Sequence, residues 1–320
     1  MALRIALSGF VVLVVAMGIG RFAFTPQVPL MIAAGQLTLT SAGLVAAMNY
    51  LGYLVGAWDA MRAHRFVETR LWLGITGAVA LTLLSAAADN AVVHGLLRFV
   101  IGCMSGWSMV LIAAWTNERL GQLGKPGLSA AVFAGPGAGI ALSGLLAVYI
   151  QAKSLSAGAA WQIYGVLALV LIVLVARYLP RSGQLHRPGT APEPLLLTAD
   201  LKRLVWSYSL AGFGYILPAT FLSQMAAVRF PGSLFAQFVW PIFGAASVVG
   251  IALSIALRHT SSANRRLAIV LWLQGIGVLA AWLLPGIGGL LTGGLLVGGG
   301  FLCAVQLSLL YGRELAPDHT

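Results

Sequence analysis

The sequence predicts an all-α integral membrane protein, and three observations carry that prediction. Hydrophobic residues make up 59% of the 320-residue chain and charged residues only 8%, against the roughly 25% charged that a water-soluble domain carries. The apolar residues gather into ten runs, each near the ~20 residues that a helix needs to cross a hydrocarbon core. The basic residues lie almost entirely between those runs, on one side. A soluble fold of this length cannot hide so much apolar surface, so the natural solvent is lipid.

The ten runs cover residues 4–33, 39–62, 69–88, 91–117, 127–151, 158–179, 201–227, 233–257, 266–284 and 287–312. Met1 to Val15 has the outline of a secretory leader, one Arg followed by an apolar stretch. No small-residue cleavage site interrupts it and the apolar run continues past residue 30, so it reads as the first span. With the N-terminus cytoplasmic, only Lys153 and Arg229 fall outside, Arg21 and Arg98 lie within spans, and the other fifteen of the 19 Lys and Arg are cytoplasmic. This is the positive-inside pattern. It predicts a multi-pass protein of the cell membrane (the inner membrane in a bacterium), with the N-terminus and the central linker in the cytoplasm. The net charge of +11 then reflects topology and not a nucleic-acid partner, because no basic patch carries interleaved aromatics. Cys103 and Cys303 each lie deep in an apolar run and read as small buried side chains.

One loop differs from the others. Residues 180–200, PRSGQLHRPGTAPEPLLLTAD, hold four prolines and several charges and read as a polar, extended linker. It divides a six-span bundle, residues 1–179, from a partial bundle of four spans, residues 201–320. The two parts resemble each other. GIGRFAFTPQVPLM at 18–31 answers GFGYILPATFLSQM at 212–225, with Gly18, Gly20 and Met31 falling on Gly212, Gly214 and Met225 at a constant offset of 194. At the same offset Val55-Gly56 meets Val249-Gly250, and Glu118-Arg119-Leu120 resembles Arg313-Glu314-Leu315 at 195. Parallel repeats of this kind mark secondary transporters. They predict that spans 1–3 superpose on spans 7–9, with Gly18 and Gly212 in like surroundings.

Local motifs give the pattern a family. GAWDAMRAHR at 56–65 is a degenerate loop motif in which Asp59, Arg62 and Arg65 match and Ala60 replaces the usual arginine. RFVIG at 98–102 resembles the arginine-to-glycine motif of span four, and GPGAG at 135–139, with Gly135 and Pro136, is similar to the glycine-proline motif of span five. With six spans, a linker and a repeated second part, the chain resembles the major facilitator superfamily (MFS). GRFAFTPQVPLM at 20–31 and GYILPATFLSQM at 214–225 resemble its YbfB/YjiJ-type branch. The resemblance implies a helix bundle of that type, secondary-active transport of a small solute by alternating access, and a conformational or gating role for Asp59, Arg62, Arg65, Gly135 and Pro136. The superfamily has twelve spans, so the chain resembles a member truncated after ten. Such a chain is expected to leave Asp59 without its docking partner on span eleven and not to complete the transport cycle. A non-transporting membrane receptor, or an inactive transporter fragment that only binds a solute, is the alternative reading.

Within the spans, Arg21 is the outstanding residue. It lies about 25 Å along a helix from Arg4, past the bilayer centre, where a charge costs ~2.5–3.5 kcal/mol even on insertion scales. Pro26 removes a hydrogen bond to Phe22 and is expected to kink the helix there. A kinked, cavity-lining helix with one cation suits an anionic or carbonyl-rich solute. The competing reading is that Arg21 binds carbonyls freed by Pro26 and Pro29, or snorkels outward. Arg98, nearer an outer end, is a second substrate-binding candidate, with snorkelling as its rival. Asn49, in mid-span two, and Tyr215, the repeat partner of Arg21, complete the candidate substrate site. Tyr50, Tyr53, Trp107, Gln274 and Gln306 are expected to satisfy neighbours between helices.

All eight acids lie at span ends or in loops, so neither a coupling proton nor an oligomeric state is legible, and uniport stays open. No HExxH, paired-carboxylate motif or Cys/His cluster appears, so the sequence predicts no enzyme, no metal and no cofactor. The predicted partners are a small-molecule solute and the lipid bilayer.

Overall fold

In the computed structural model, residues 1–181, 183–185 and 198–316 are described. Ten helices are long and apolar enough to cross a membrane: spans 1 to 10 run Ala2–Ala33, Leu39–Arg62, Val67–Ala87, Ala91–Gln122, Gly127–Ala152, Ala157–Tyr178, Ala199–Arg229, Leu234–Ala256, Ala263–Leu283 and Gly286–Leu315. These follow the ten apolar runs of the sequence. The expected linker at 180–200 falls largely outside the described residues. Span 4 extends beyond its apolar run because Glu118, Arg119 and Gln122 hydrogen-bond one another along the helix face, at 3.1 and 3.3 Å. Helix starts are set by short polar residues: the Thr38, Asn90, Ser156, Thr198, Ser233 and Ser262 side chains each accept from backbone N–H groups of the first turn.

Glycine sets how closely spans approach. Spans 2 and 4 pack through Gly52, Gly56, Gly102 and Gly106, and a Cβ at Gly106 would lie 2.6 Å from Ala57 N. Span 5 is wedged between spans 1 and 8. A Cβ at Gly135 would meet Phe10 O at 2.5 Å, at Gly139 the Gly18 Cα at 2.6 Å, at Gly137 the Ser247 Cβ at 2.8 Å and at Gly144 the Pro241 ring at 2.6 Å. GPGAG is therefore a contact surface with span 1 on one face and span 8 on the other. In lipid, where apolar contact alone drives no association, such small-residue faces let backbones pack closely.

The internal repeat is unevenly expressed. Gly56 abuts the span 4 backbone at Cys103, and Gly250 abuts the span 10 backbone at Gly299. Those positions are equivalent. The Gly18 and Gly212 match is not: Gly18 lies against Gly139, whereas a Cβ at Gly212 would meet nothing within 4 Å. The glycine pair that first suggested the repeat therefore has unrelated surroundings, because span 1 is clamped by span 5 and span 7 has no such neighbour at Gly212.

Span 1 is discontinuous. Ala2–Leu13 is α-helical, Val14–Ile19 is π-helical, residues 20–23 form a turn, and Phe24–Ala33 resumes the α-helix. The break lies upstream of Pro26, not at it. Pro26 occupies the first turn of the resumed helix, where a missing N–H costs nothing. Gly20 N donates to Val15 O at 2.7 Å and Phe22 N to Met17 O at 2.9 Å, the wide register of a π turn.

A candidate solute site at the break in span 1

The break leaves carbonyls that the helix no longer uses and that need donors, and span 4 supplies them. Ser105 Oγ donates to Ala16 O at 2.7 Å, and Arg98 Nη1 donates to Gly20 O at 2.8 Å. Positions 98 and 105 are two helical turns apart and share a face. Arg98 Nη2 also donates to Ser85 Oγ at 3.2 Å, and its guanidinium lies 4.3 Å from the Trp161 ring. Arg98 is 0% exposed, so it does not snorkel. The role expected as the alternative for Arg21, binding freed carbonyls of span 1, is filled by Arg98.

Arg21 sits in the turn itself and is 9% exposed. Its guanidinium lies 4.2 Å from the Tyr53 ring, 4.9 Å from Tyr50 and 5.1 Å from Phe22. Among the described residues it makes no hydrogen bond and no ion pair, and its Nε is buried without an acceptor. Aromatic faces contribute ~0.5–2 kcal/mol each to a desolvated cation. Three rings can therefore offset the ~2.5–3.5 kcal/mol cost of the charge. They do nothing for the five N–H donors of a guanidinium.

Asn49 is buried and lines the same small cavity as Arg21, together with Thr25, Tyr50 and Thr220. The cavity measures ≈ 10 Å³, about the room of one water. The Asn49 amide donates to Arg98 O at 2.8 Å, which ties span 2 to span 4. Tyr215 does not line the cavity; its ring packs 5.4 Å from Phe301, which also meets Phe22 at 6.0 Å. Tyr50, Tyr53, Tyr208, Thr25 and Thr220 were not singled out as site residues in the sequence. A signal existed for the tyrosines: 50 and 53, and 208 and 215, have the spacings that share one helix face.

Hydrogen bonds join the two parts of the chain beside the site and at the far tips of spans 4 and 10. Beyond Arg21 along span 1, Thr25 Oγ1 donates to Ala219 O at 3.0 Å, and the Tyr50 and Thr220 hydroxyls share a hydrogen bond of 2.7 Å. Past them a cleft of ≈ 290 Å³ opens among Pro26, Gln151, Ser223 and Gln237. At the opposite end Arg313 Nη1 donates to Asn117 Oδ1 at 3.0 Å, joining the tips of spans 10 and 4.

The loop motif is also placed. Asp59 is not left without a partner: Arg70 Nε donates to its Oδ2 at 2.7 Å and Trp107 Nε1 at 2.8 Å, so it joins spans 2, 3 and 4. The sequence expectation considered only a partner on span eleven and overlooked Arg70. Arg65 contributes its carbonyl to Arg70 Nη1, at 2.6 Å. Arg62 is exposed and lies 4.0 Å from the Trp58 ring. Gly135 and Pro136 are buried at the start of the second helical part of span 5, against span 1. Among the described residues no group of three or more His, Cys, Asp or Glu could hold a metal ion.

Among curated proteins none matches the sequence. The crystal structure of a D-xylose-proton symporter matches the fold, with a TM-score of 0.67 and 13% identity over 99% of this chain and 88% of that chain. At that identity the likeness speaks for the fold alone. The sequence profile described as "Uncharacterised MFS-type transporter YbfB" matches residues 13–320. The chain belongs to that family: it is an MFS transporter, an all-α, multi-pass membrane protein and not an enzyme.

Proposed function

We propose that the protein carries a small anionic solute by alternating access, and that Arg21 is the residue that binds the anion. The observation that supports this is the Arg21 guanidinium, buried among Phe22, Tyr50 and Tyr53 with no hydrogen-bond acceptor among the described residues. Its charge is compensated by rings, while its buried Nε has no acceptor and its Nη atoms make no hydrogen bond among the described residues. Leaving buried donors unmade costs ~1–3 kcal/mol each, and a carboxylate, phosphate or sulfonate would satisfy two of them at once. Tyr50 would border the solute, and Tyr215 of span 7, outside the shut cavity, would join it as the site widens. Arg98 and Asn49 act through span 1 and span 4, as positioning residues that hold the turn carrying Arg21.

The shut cavity, with room for about one water, corresponds in this reading to a solute-free closed form that widens to admit the anion. Spans 1–6, a linker at 180–200 and spans 7–10 then form two bodies that rock about the site. Breaking the Thr25–Ala219 and Tyr50–Thr220 contacts opens one side; breaking Arg313–Asn117 opens the other. Asp59, with Arg70 and the 62–65 segment, stiffens one body, and Gly135 and Pro136 let span 5 slide on span 1. In this reading the N-terminus and the linker are cytoplasmic, which the asymmetry of the basic residues in the sequence supports.

The test is counterflow in proteoliposomes, with a panel of small carboxylates, phosphates and sulfonates and their neutral amide or alcohol analogues. Exchange of at least one anion, lost in Arg21→Gln, is expected. Exchange of neutral solutes only, or undiminished exchange by Arg21→Gln, would remove the proposal. Binding without exchange would make the protein a receptor. Orientation is tested by single cysteines at Ser154 and Ser261 in a variant lacking Cys103 and Cys303: only position 154 should react before permeabilisation.

A further inference from the structure

Spans 8 and 9 both pack on span 10 and leave an apolar groove of ≈ 610 Å³ among Val249, Leu253, Ile269, Leu273 and Leu295. Leu253 is 54% and Ile269 50% exposed, so the groove opens sideways, toward lipid. At one end it reaches the connection between spans 8 and 9, where Thr260, Ser261 and Arg266 line it. Arg266 Nη1 donates to Ser254 O at 3.1 Å, while its Nε is buried and has no acceptor.

The internal repeat identifies what that Nε lacks. Arg70 is the fourth residue of span 3, and its Nε donates to Asp59 on span 2 at 2.7 Å. Arg266 is the fourth residue of span 9. The offset of 194 that pairs Val55-Gly56 with Val249-Gly250 puts Leu253 at the place of Asp59; at that offset Arg70 falls on Asn264, and Arg266, two residues on, matches Arg70 by its place in the span. Leu253 and Arg266 both line the groove, so the second arginine has a leucine at the place where the first has a carboxylate. No Asp or Glu occurs anywhere between residues 201 and 313, and Arg258 and Arg265 add charge to the same connection. An anionic acceptor for Arg266 has to come from outside this part of the chain, which offers it the Ser254 carbonyl.

We propose that the groove binds an anionic glycerophospholipid. One acyl chain lies along spans 8, 9 and 10, and the phosphodiester accepts from Arg266 Nε beside the Thr260 and Ser261 hydroxyls. An apolar channel that opens to the bilayer and ends at a guanidinium whose Nε has no acceptor complements such a lipid in both parts. Bound there, the lipid bridges spans 8 and 9 as the Asp59–Arg70 pair bridges spans 2 and 3.

The experiment is native mass spectrometry of the full chain in detergent, titrated with phosphatidylglycerol or phosphatidylcholine of the same acyl chains. Wild type should retain phosphatidylglycerol about fivefold more tightly. Arg266→Gln should abolish the preference. Leu253→Asp, which keeps the arginine and installs the carboxylate that its repeat partner has, should abolish it too, and it carries the test if Arg266→Gln does not fold. Equal retention of both lipids by wild type would overturn the proposal, as would a preference that survives Leu253→Asp. Displacement of bound phosphatidylglycerol by equimolar inorganic phosphate would show a site for a free anion and would also overturn it.

Discussion

Arg98 and Arg21 are both buried inside the first six spans and both lie at the break in span 1, yet their surroundings differ in kind. Arg98 gives one hydrogen bond to the Gly20 carbonyl from Nη1 and another to Ser85 from Nη2, is fully closed off, and like Arg21 has a buried Nε without an acceptor, so the two differ at their Nη atoms. Arg21, the next residue along from that carbonyl, has rings about it and no acceptor among the described residues. The first cation is spent on holding the backbone. The second has its charge compensated and its donors left over. An intramembrane arginine is therefore not by itself a ligand site; the acceptors on its nitrogens decide.

That contrast can be broken most forcefully at Arg98. Arg98→Met removes both hydrogen bonds and leaves the Gly20 carbonyl unsatisfied, a loss of about 1–3 kcal/mol for that group alone. The thermal midpoint of the purified protein should fall. An unchanged midpoint would mean that the turn in span 1 does not depend on Arg98.

Arg21→Gln should do the opposite. Anion binding should weaken at least about tenfold, or ~1.4 kcal/mol. The thermal midpoint without solute should stay or rise, because a charge is withdrawn from the membrane interior. A fall in midpoint with unaltered affinity would give Arg21 the structural role assigned here to Arg98.

Smaller effects sharpen the comparison. Tyr53→Leu removes the nearest ring and should cost ~0.5–2 kcal/mol of stability in wild type. In the Arg21→Gln background it should cost measurably less, and a double-mutant cycle reads the difference. Additive effects would show that the ring does not compensate the charge. Tyr50→Phe removes the hydrogen bond to Thr220, worth ~0.5–1.5 kcal/mol. It should raise the reactivity of a cysteine placed at Ser223 in the adjoining cleft by several-fold; an unchanged rate would detach that contact from gating.

The sequence disclosed the architecture because lipid imposes it on every turn: all ten apolar runs became spans. The two buried arginines were also visible, since a charge in an apolar run is conspicuous. Which of them was free was not, because that depends on Ser85, Gly20 and Trp161 converging on Arg98 from three other spans. The π turn at Val14–Ile19 carries no proline, and attention went instead to Pro26, which sits harmlessly in a first turn. Arg70 was counted as a cytoplasmic charge, and only the fold brings it to Asp59. The tyrosines of spans 2 and 7 were legible as faces but could not be aimed without knowing what stood opposite.

The central claim is that Arg21 is a buried cation reserved for a solute anion. Thermal denaturation of the purified protein, wild type against Arg21→Gln, tests it most directly with the panel of small carboxylates, phosphates and sulfonates and their neutral analogues. A ligand of the folded form raises the midpoint by mass action. The account predicts that at least one anion raises the wild-type midpoint, that its neutral analogue does not, and that the Arg21→Gln midpoint is unmoved by either. Stabilisation by the anion that persists in Arg21→Gln, or that the neutral analogue matches in wild type, would contradict it.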